Sequence, residues 1–297
     1  MTEASHKSQP ARALLWMGLA QLLFAMMAIA ARFGGRDLPW QEVAATRFAV
    51  GTMTAFAVAR ARGQSLRITH RREAWLRSLF GTLSAAGTFY IYAAPVLPMG
   101  DAVTLLSTSP IFVALLSAPL LGERVRPSIM VALALGFCGI VLVAQPSFRA
   151  AGHLVAAGAG AALAAAIAQI WLRRIGPNES SEAIVVHFLS VGFVVMFLAS
   201  LPVWKTPTTR DAYWLGFMGL TGGLAQIAMT RAYALDDAAR VSVMGFSGVA
   251  IMRILAVPVF GEVPSPLQAT GSLLVIGSGA VLGSAPRRRR WGKLREW

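Results

Sequence analysis

A nine-residue pattern that occurs twice in this chain of 297 residues constrains its fold more than any other feature. The pattern Pro-x-x-Gly-Glu-x-x-x-Pro lies at 119–127 and again, 139 positions later, at 258–266. A long apolar stretch ends at each Gly-Glu pair, and another apolar stretch begins at each second proline. Because 139 residues is close to half the chain, we expect two similar halves built around the same turn.

Composition places these halves in a membrane. Hydrophobic residues make up 56% of the chain and charged residues only 13%, whereas soluble domains hold about 25% charged residues. Ten apolar stretches have the length of roughly 20 residues that a spanning helix needs. They lie at 13–31, 43–59, 76–94, 102–121, 128–144, 154–172, 183–203, 213–235, 241–260 and 267–284. The sequence therefore predicts an all-α integral membrane protein with ten transmembrane helices.

Lysine and arginine predict the orientation. With the N-terminus in the cytoplasm, nineteen of the 27 basic residues fall in cytoplasmic segments, with Arg77 and Arg240 among them. Five fall in external segments, and Arg47, Arg231 and Arg253 lie inside helices. Both termini are therefore predicted to be cytoplasmic. The same distribution explains the net charge of +14 without a nucleic-acid partner.

Five helices per half is an odd number, so the second half enters the membrane from the opposite side. The predicted organisation is a first five-helix repeat at 13–144, an inverted second repeat at 153–284 and a basic cytoplasmic tail at 285–297. Membrane chains built from two inverted repeats are typical of secondary transporters, whose substrate site lies between the repeats.

Several motifs resemble one family. The run from Gly100-Asp101-Ala102 through Ser109-Pro110 to 119–124, together with Arg47-Phe48 and Ala232-Tyr233-Ala234, resembles the drug/metabolite transporter superfamily, in particular its EamA type with ten helices in two tandem repeats. The resemblance covers 13–284. It implies a transporter of small organic solutes, with helices one, three, four, six, eight and nine around a cavity. The ninth stretch departs from the family pattern at the glycine-rich 244–248 and at Arg253.

Charged residues within the apolar stretches allow two interpretations each. Arg253 lies about halfway along the ninth stretch, where it either binds a carboxylate or phosphate of the substrate or pairs internally. Arg47 lies near the external face, and its side chain is expected to reach the interface. Glu123 and Glu262 are expected to accept hydrogen bonds from the N–H groups that open the next helix, with a gate or proton carrier as the alternative. Asp101 is expected to be the N-cap of the fourth helix.

Polar and aromatic side chains inside the stretches predict a cavity. Gln226 and Tyr233 recur at helical spacing on one stripe, and Gln21 and Gln169 fall near the same point of the two repeats. Each side chain either holds polar atoms of a substrate or bonds across helices. The substrate-binding candidates are Arg253, Gln226, Tyr90, Thr88, Ser107, Thr108, Gln169, Gln21, Tyr233 and Phe246. The structural turn residues are Pro119, Gly122, Glu123, Pro258, Gly261 and Glu262.

Three function classes remain, of which a transporter without ATP drive is favoured. The chain has no Walker A motif, no HExxH motif and no Cys/His cluster, so we predict neither an enzyme nor a cofactor. It also has no feature of a channel filter. Amino acids or related metabolites fit the aromatic and basic candidates best, and an uptake carrier for a vitamin or nucleotide-like metabolite is the alternative. Gly279-x-x-x-Gly283 is compatible with internal packing or with a homodimer. Alanine, glycine and arginine usage suggests the inner membrane of a bacterium.

Overall fold

The computed structural model describes residues 9–35, 37–94, 96–147, 152–261 and 263–284. These residues form twelve α-helices and one 3₁₀ turn, Leu201–Val203, and no strand. The helices are α1 (Pro10–Gly34), α2 (Trp40–Ala61), α3 (Arg71–Ala93), α4 (Met99–Leu106), α5 (Ser109–Leu121), α6 (Pro127–Ala144), α7 (Gly152–Ile175), α8 (Ser181–Ser200), α9 (Thr209–Leu235), α10 (Ala238–Met244), α11 (Ser247–Phe260) and α12 (Pro266–Ser284). Glu262 and the basic tail 285–297 lie outside the described residues.

Seven of the predicted stretches are long and apolar enough to cross a membrane. They are α1, α4 with α5, α6, α7, α8 with the 3₁₀ turn, α10 with α11, and α12. The other three helices, α2, α3 and α9, have 22, 23 and 27 residues but carry more charged side chains. The described part of the chain is therefore all-helical, with at least seven membrane-competent helices.

The same turn closes α5 and α11. Gly122 and Gly261 each have a φ of 67°, in the left-handed region that favours glycine, and each backbone N–H bonds back to the last turn of its helix. Pro119 and Pro258 lie in those last turns. The repeated sequence pattern thus produces a repeated helix end.

Helices of one half pack on helices of the other half, and equivalent helices make equivalent contacts. α1 packs on α9 as α7 packs on α3, and α5 packs on α7 as α11 packs on α1. α2 and α6 contact their own counterparts, α8 and α12. The α6–α12 contact is reciprocal at one glycine pair: a Cβ on Gly139 would lie 2.6 Å from the Gly271 carbonyl oxygen, and a Cβ on Gly271 would lie 2.6 Å from that of Gly139. Glycine therefore allows these two backbones to touch.

Hydrogen bonds between helix ends show which helices run antiparallel. The Gln9 N–H at the start of α1 donates to the Leu235 carbonyl at the end of α9, at 3.1 Å. His70 before α3 pairs with Glu179 after α7, at 2.8 Å. We call this end of the bundle the basic end; its basic residues include Arg12, Arg60, Arg62, Arg67, Arg71, Arg72, Arg173 and Arg174. At the opposite end, Lys205 N–H donates to buried Glu42, at 3.0 Å.

Candidate helix-break site between the two halves

Two helices are broken at equivalent positions of the two halves. Ser107 and Thr108 separate α4 from α5, and Gly245 and Phe246 separate α10 from α11. The 139-residue offset of the sequence pattern places the second break within a residue of the first. The sequence analysis predicted one spanning stretch at each place, 102–121 and 241–260, and α4 with α5 and α10 with α11 each form one span. The turn inside each span was not predicted.

A side-chain hydroxyl supports each break in the same way. Thr108 Oγ1 donates to the Leu105 carbonyl oxygen at 2.7 Å, and Ser247 Oγ donates to the Met244 carbonyl oxygen at 2.7 Å. Both members of each pair match under the 139-residue offset. A hydroxyl that bonds back to its own helix competes with the regular helical ladder and favours a bend. The hydroxyl residues at equivalent positions, Thr108 and Ser247, are therefore a sequence signal for the breaks, which the hydropathy pattern alone did not indicate.

The second break faces α1 through Gln21. Gly248 lies against the Gln21 side-chain amide, with so little space that a Cβ would collide with Oε1. The other polar contact of Gln21 is a long one, 3.9 Å from Nε2 to the Met17 sulfur. Gln21 is therefore a weakly bound amide next to a broken helix, which suits a group that contacts solute.

Phe246 is buried at this break and does not line an open space. Its ring packs on Gly136 of α6, where a Cβ would collide with it, and it belongs to an apolar cluster with Ile140 and Val275. In the described structure Phe246 therefore has a packing role, and its contact with solute stays a prediction. The ring fixes the break against α6.

One cavity lies at the second break, and an open groove lies elsewhere, between α3 and α8. The cavity, of about 250 Å³, is lined by Met244 and Ser247 at the second break, by Leu14 of α1 and by residues of α12. The open groove, of about 590 Å³, lies near Trp75 and His187. Neither is lined by Gln226 or Tyr233, so the described structure is closed around those side chains.

Tyr233 and Gln169, both predicted as candidates, bind each other. The fully buried Tyr233 hydroxyl donates to Gln169 Oε1 at 2.6 Å. Gln169 lies in the last two turns of α7, whereas Gln21 lies near the middle of α1. The expectation that these two amides occupy the same point of the two repeats is therefore wrong.

Gln226 binds an arginine that the sequence analysis placed in a cytoplasmic loop. Arg77 is inside α3 and only 4% exposed, and its Nη2 donates to Gln226 Oε1 at 3.3 Å. Its guanidinium carbon also lies 4.1 Å above the ring of Phe188. The short distance between Arg77 and the helix start at Arg71 made it look like a loop residue. Arg240 is a second such case, buried in α10 and paired with Asp236 at 3.4 Å.

Arg47 is buried as well, at 7% exposed, and does not reach the interface as expected. Its Nε donates to the sulfur of Met27 at 3.1 Å. The guanidinium carbon lies 5.2 Å from the ring centroid of Phe48 and 6.0 Å from that of Phe89. Arg47 therefore points among α1, α2 and α3, into the interior of the bundle.

The remaining candidates lie apart from this interior cluster. Tyr90 is 41% exposed, and its ring meets the edge of Trp40 at 6.3 Å between centroids. Thr88 and Arg253 are half-buried in α3 and α11. The structure thus brings together Gln226 with Arg77, and Tyr233 with Gln169, while it separates Tyr90 from them.

Glu123 is a structural link at the basic end, although its partner differs from the expected one. Its carboxylate accepts from Arg173 Nε and from the N–H of Ala238, both at 2.8 Å. Ala238 opens α10, in the other half, and not α6, the next helix. Burial raises the pKa of Glu123 above its ordinary value of 4.5, against the opposing effect of Arg173. Glu123 therefore connects the repeated turn of one half to the broken helix of the other.

Asp101 makes a similar link at the opposite end. The N-cap of α4 is Pro98, so the predicted N-cap role of Asp101 is wrong. The buried Asp101 carboxylate accepts from the backbone N–H and the hydroxyl of Ser147, each at 2.6 Å. It therefore ties the start of α4 to the chain that leaves α6.

Comparison with protein families identifies the two halves. The model of the EamA-like transporter family matches residues 11–145 and matches again at 151–284. The chain belongs to the EamA-like transporter family. Nearly all of it consists of two tandem EamA domains, in agreement with the resemblance drawn from the motifs, and it is a multi-pass protein of the inner membrane.

Relatives of this EamA protein include named transporters. It is 27% identical to a pseudopaline exporter of Pseudomonas aeruginosa, over 87% of this chain and 91% of the relative. It is 28% identical to a riboflavin transporter of Vibrio cholerae, over 94% of this chain and 95% of the relative. A protein crystal structure matches with a TM-score of 0.80 at 22% identity and covers 93% of this chain and 99% of its own, which supports the fold alone.

Proposed function

We propose that this EamA protein is a secondary transporter that moves amino acids or related small metabolites by alternating access. Ten spans, with both termini in the cytoplasm, would carry two inverted repeats around one central site. Membership of the family supports small-solute transport in general. The named relatives include an exporter and a vitamin transporter, so substrate and direction have to be argued from this chain.

The paired helix breaks carry the proposal. Transporters built from inverted repeats typically bind solute at interrupted helices in corresponding positions of both halves. Thr108 and Ser247 lie at such interruptions in α4–α5 and α10–α11, where the N–H groups of Thr108, Gly245 and Phe246 bond to the carbonyl three residues back and not four. Gln21, on the face of α1 that touches Gly248, adds an amide for the polar atoms of a solute.

Length and charge support ten spans. α2, α3 and α9 are as long as the seven apolar helices, and they alternate in direction with their neighbours. Their buried charges face other helices, as Arg47 and Arg77 do, and a charge inside a bundle is compatible with a spanning helix. Without the buried Arg77 and Arg240, seventeen basic residues remain in the cytoplasmic segments against five in the external ones, which supports cytoplasmic termini.

Both ends of the described structure are closed by contacts that alternating access has to break in turn. Gln9 meets Leu235 at the basic end. At the opposite end, Gln145 Nε2 donates to Ser265 Oγ at 3.4 Å. Cysteines at both positions of each pair can be joined by a short methanethiosulfonate cross-linker, which reductant removes, and Cys138 is the only natural cysteine to remove.

Counterflow in proteoliposomes tests the proposal. Vesicles preloaded with one amino acid should take up the same labelled amino acid faster than empty vesicles. In a Cys138→Ser background, cross-linked Gln9→Cys/Leu235→Cys and Gln145→Cys/Ser265→Cys variants should each lose counterflow and regain it with reductant. Each single-cysteine variant is the matched control and should keep counterflow after the same treatment. Flux that neither saturates nor responds to preloading would indicate a channel, and a converted solute would indicate an enzyme.

A vitamin or nucleotide-like solute is the second candidate. The riboflavin transporter of Vibrio cholerae, 28% identical over 94% of this chain, favours it. Including riboflavin in the counterflow panel separates the two, because only the true solute should accelerate exchange from the opposite side.

A further inference from the structure

Two arginines lie inside the bundle without an acidic partner. Arg77 is 4% exposed and Arg47 is 7% exposed. Within the described ranges, every ion pair formed by an arginine involves residues other than these two. A buried cation without a counter-ion is strongly disfavoured, and in membrane proteins such a residue commonly marks a solute pathway.

The existing contacts leave guanidinium donors without strong acceptors. Arg77 Nε is buried without a hydrogen-bond partner, while one amide oxygen, from Gln226, accepts from Nη2. Arg47 Nε donates to the sulfur of Met27, which is a weak acceptor. The nearby phenyl rings attract the cations but accept no conventional hydrogen bond. Each guanidinium therefore retains capacity for an oxygen anion.

Both arginines approach the same stretch of α9 from different helices. Arg77 of α3 binds Gln226, and Arg47 of α2 lies with its Nε 3.5 Å from where a Cβ on Gly222 would be. Gly222 and Gln226 are one helical turn apart, about 6 Å along the axis. Both guanidinium groups therefore lie beside the same turn of α9. Two like charges held together in this way form a site for a ligand with opposite charge.

We propose that Arg47 and Arg77 together bind a small organic solute that carries two acidic groups, with the carboxylate as the preferred group. Guanidinium groups pair with carboxylates in a bidentate geometry, which suits planar oxygen pairs better than a single point charge. Because the two arginines contact α9 at positions one turn apart, a ligand that reaches both has to be short. This inference rests on the proposed transport function and names the solute class of its central site.

Binding to the purified protein in detergent tests the site without requiring transport. The probes are the dicarboxylates from malonate to adipate, the matched monocarboxylates, the matched diamides and inorganic phosphate, each measured by calorimetry. We expect at least one dicarboxylate to bind about tenfold or more tightly than its monocarboxylate, since a charge-assisted contact is worth that factor or more. The diamides should bind most weakly. If no dicarboxylate binds better than its monocarboxylate, the proposal is wrong, and tighter binding of phosphate than of every dicarboxylate would overturn the carboxylate preference.

Variants identify the residues. Arg47→Met and Arg77→Met should each lower dicarboxylate affinity about tenfold or more and leave monocarboxylate affinity within a few fold. Arg77→Lys should retain part of the affinity, because it keeps the charge and loses the bidentate geometry. Arg72→Met, an exposed position on the same helix as Arg77, is the control and should bind like the parent. Unchanged dicarboxylate binding in both buried variants would overturn the assignment.

Thermal unfolding separates a binding role from a structural one. Arg47 lacks a counter-ion and donates only to a sulfur, so Arg47→Met should leave the melting temperature unchanged or raise it. Arg77→Met also removes the donor to Gln226 Oε1, so any loss of stability should not exceed that of one such hydrogen bond. A lower melting temperature, with dicarboxylate affinity retained, would show that the arginines serve packing. If amino-acid counterflow persists in both methionine variants while dicarboxylates do not bind the parent, the transport proposal stands and this inference fails. If no solute of either class moves or binds, both fail.

Discussion

The hydroxyl of Tyr233 donates a hydrogen bond to Oε1 of Gln169, at 2.6 Å, and joins the end of α9 to the end of α7. Tyr233 also presents its backbone carbonyl to Arg173, at 3.1 Å, and Arg173 in turn holds Glu123. Tyr233 lies on the same stripe of α9 as Gln226, so this buried tyrosine connects the interior polar side chains of α9 to the contacts that close the basic end. A displacement of Tyr233 would therefore also shift the contacts of Arg173 and Glu123 at that end.

Replacing Tyr233 with phenylalanine should destabilise the protein. The change leaves Gln169 Oε1 without its donor in a buried site, which costs about 1 kcal/mol in membrane proteins. We expect a lower melting temperature in detergent. Tyr90→Phe is the matched control, because Tyr90 is 41% exposed and its ring contact with Trp40 survives. Equal melting temperatures for the two variants would contradict the structural importance of the hydroxyl.

The repeated glycine turns should be equally sensitive to alanine. Gly122 and Gly261 both have a φ of 67°, which costs an L residue about 1 kcal/mol. Gly122→Ala and Gly261→Ala should therefore each lower the melting temperature, and by similar amounts. Gly18→Ala is the control: it lies within α1 with open space where its Cβ would be, so it should be neutral or stabilising. Tolerance of alanine at only one turn would show that the two turns are not equivalent.

Much of the architecture could be predicted because it depends on local sequence. The apolar stretches predicted the bounds of the spanning helices to within a few residues. The repeated pattern around Gly122 and Gly261 predicted two equivalent helix ends. The family model then matched both halves. These features arise from hydropathy and backbone conformation, which neighbouring residues determine.

The interior polar contacts could not be predicted because they depend on tertiary packing. Arg77 lies two turns into α3, yet its neighbours Arg71 and Arg72 made it look like part of a basic loop. Its burial depends on Gln226, 149 positions away. Phe246 has an aromatic side chain of the kind that contacts solutes, but its ring packs against Gly136 of α6, which is distant in the sequence. A single sequence does not show which helices face one another.

Asp101 should matter for stability because it holds two donors in a buried site. Asp101→Ala leaves the Ser147 N–H and hydroxyl without their acceptor, and hydrogen bonds to a charged group are each worth about 1.5–3 kcal/mol. Ser147→Ala removes only the hydroxyl and should cost less. Thermal unfolding of both variants measures the difference. A larger effect for Ser147→Ala would show that the backbone bond contributes little.

Acid should weaken the contact between Glu179 and the start of α3. Burial alone would raise the pKa of Glu179, but hydrogen bonds from the backbone and ring of His70 and from the Thr69 N–H hold it below the ordinary value of 4.5. Since the folded-state pKa is depressed, the stabilisation is complete above pH 4.5 and is lost as pH falls through the folded-state pKa. The melting temperatures of the parent and Glu179→Gln should differ at pH 6 and converge in acid.

The control for this pH dependence is Glu73→Gln, in the first turn of α3. The Thr69 and His70 donors bind Glu179 and not Glu73, so this variant should lack the acid-dependent difference expected of Glu179→Gln. A constant difference between the parent and Glu179→Gln at every pH would mean that the contact does not depend on ionisation.

Arg253 should affect transport more than folding. It is half-buried in α11, two turns after the second break, and the equivalent position of the first half is the buried Ala114. Arg253→Ala therefore makes the second half resemble the first, whose helix packs well with alanine. We expect normal expression and a fall of about tenfold or more in counterflow of an acidic or zwitterionic solute, the factor for one lost charge-assisted contact. Arg210→Ala, exposed in the first turn of α9, should transport normally. If Arg253→Ala loses folded protein and transport in equal proportion, Arg253 is a structural residue, and the solute contacts lie at the second break and at Gln21 of α1, which faces it.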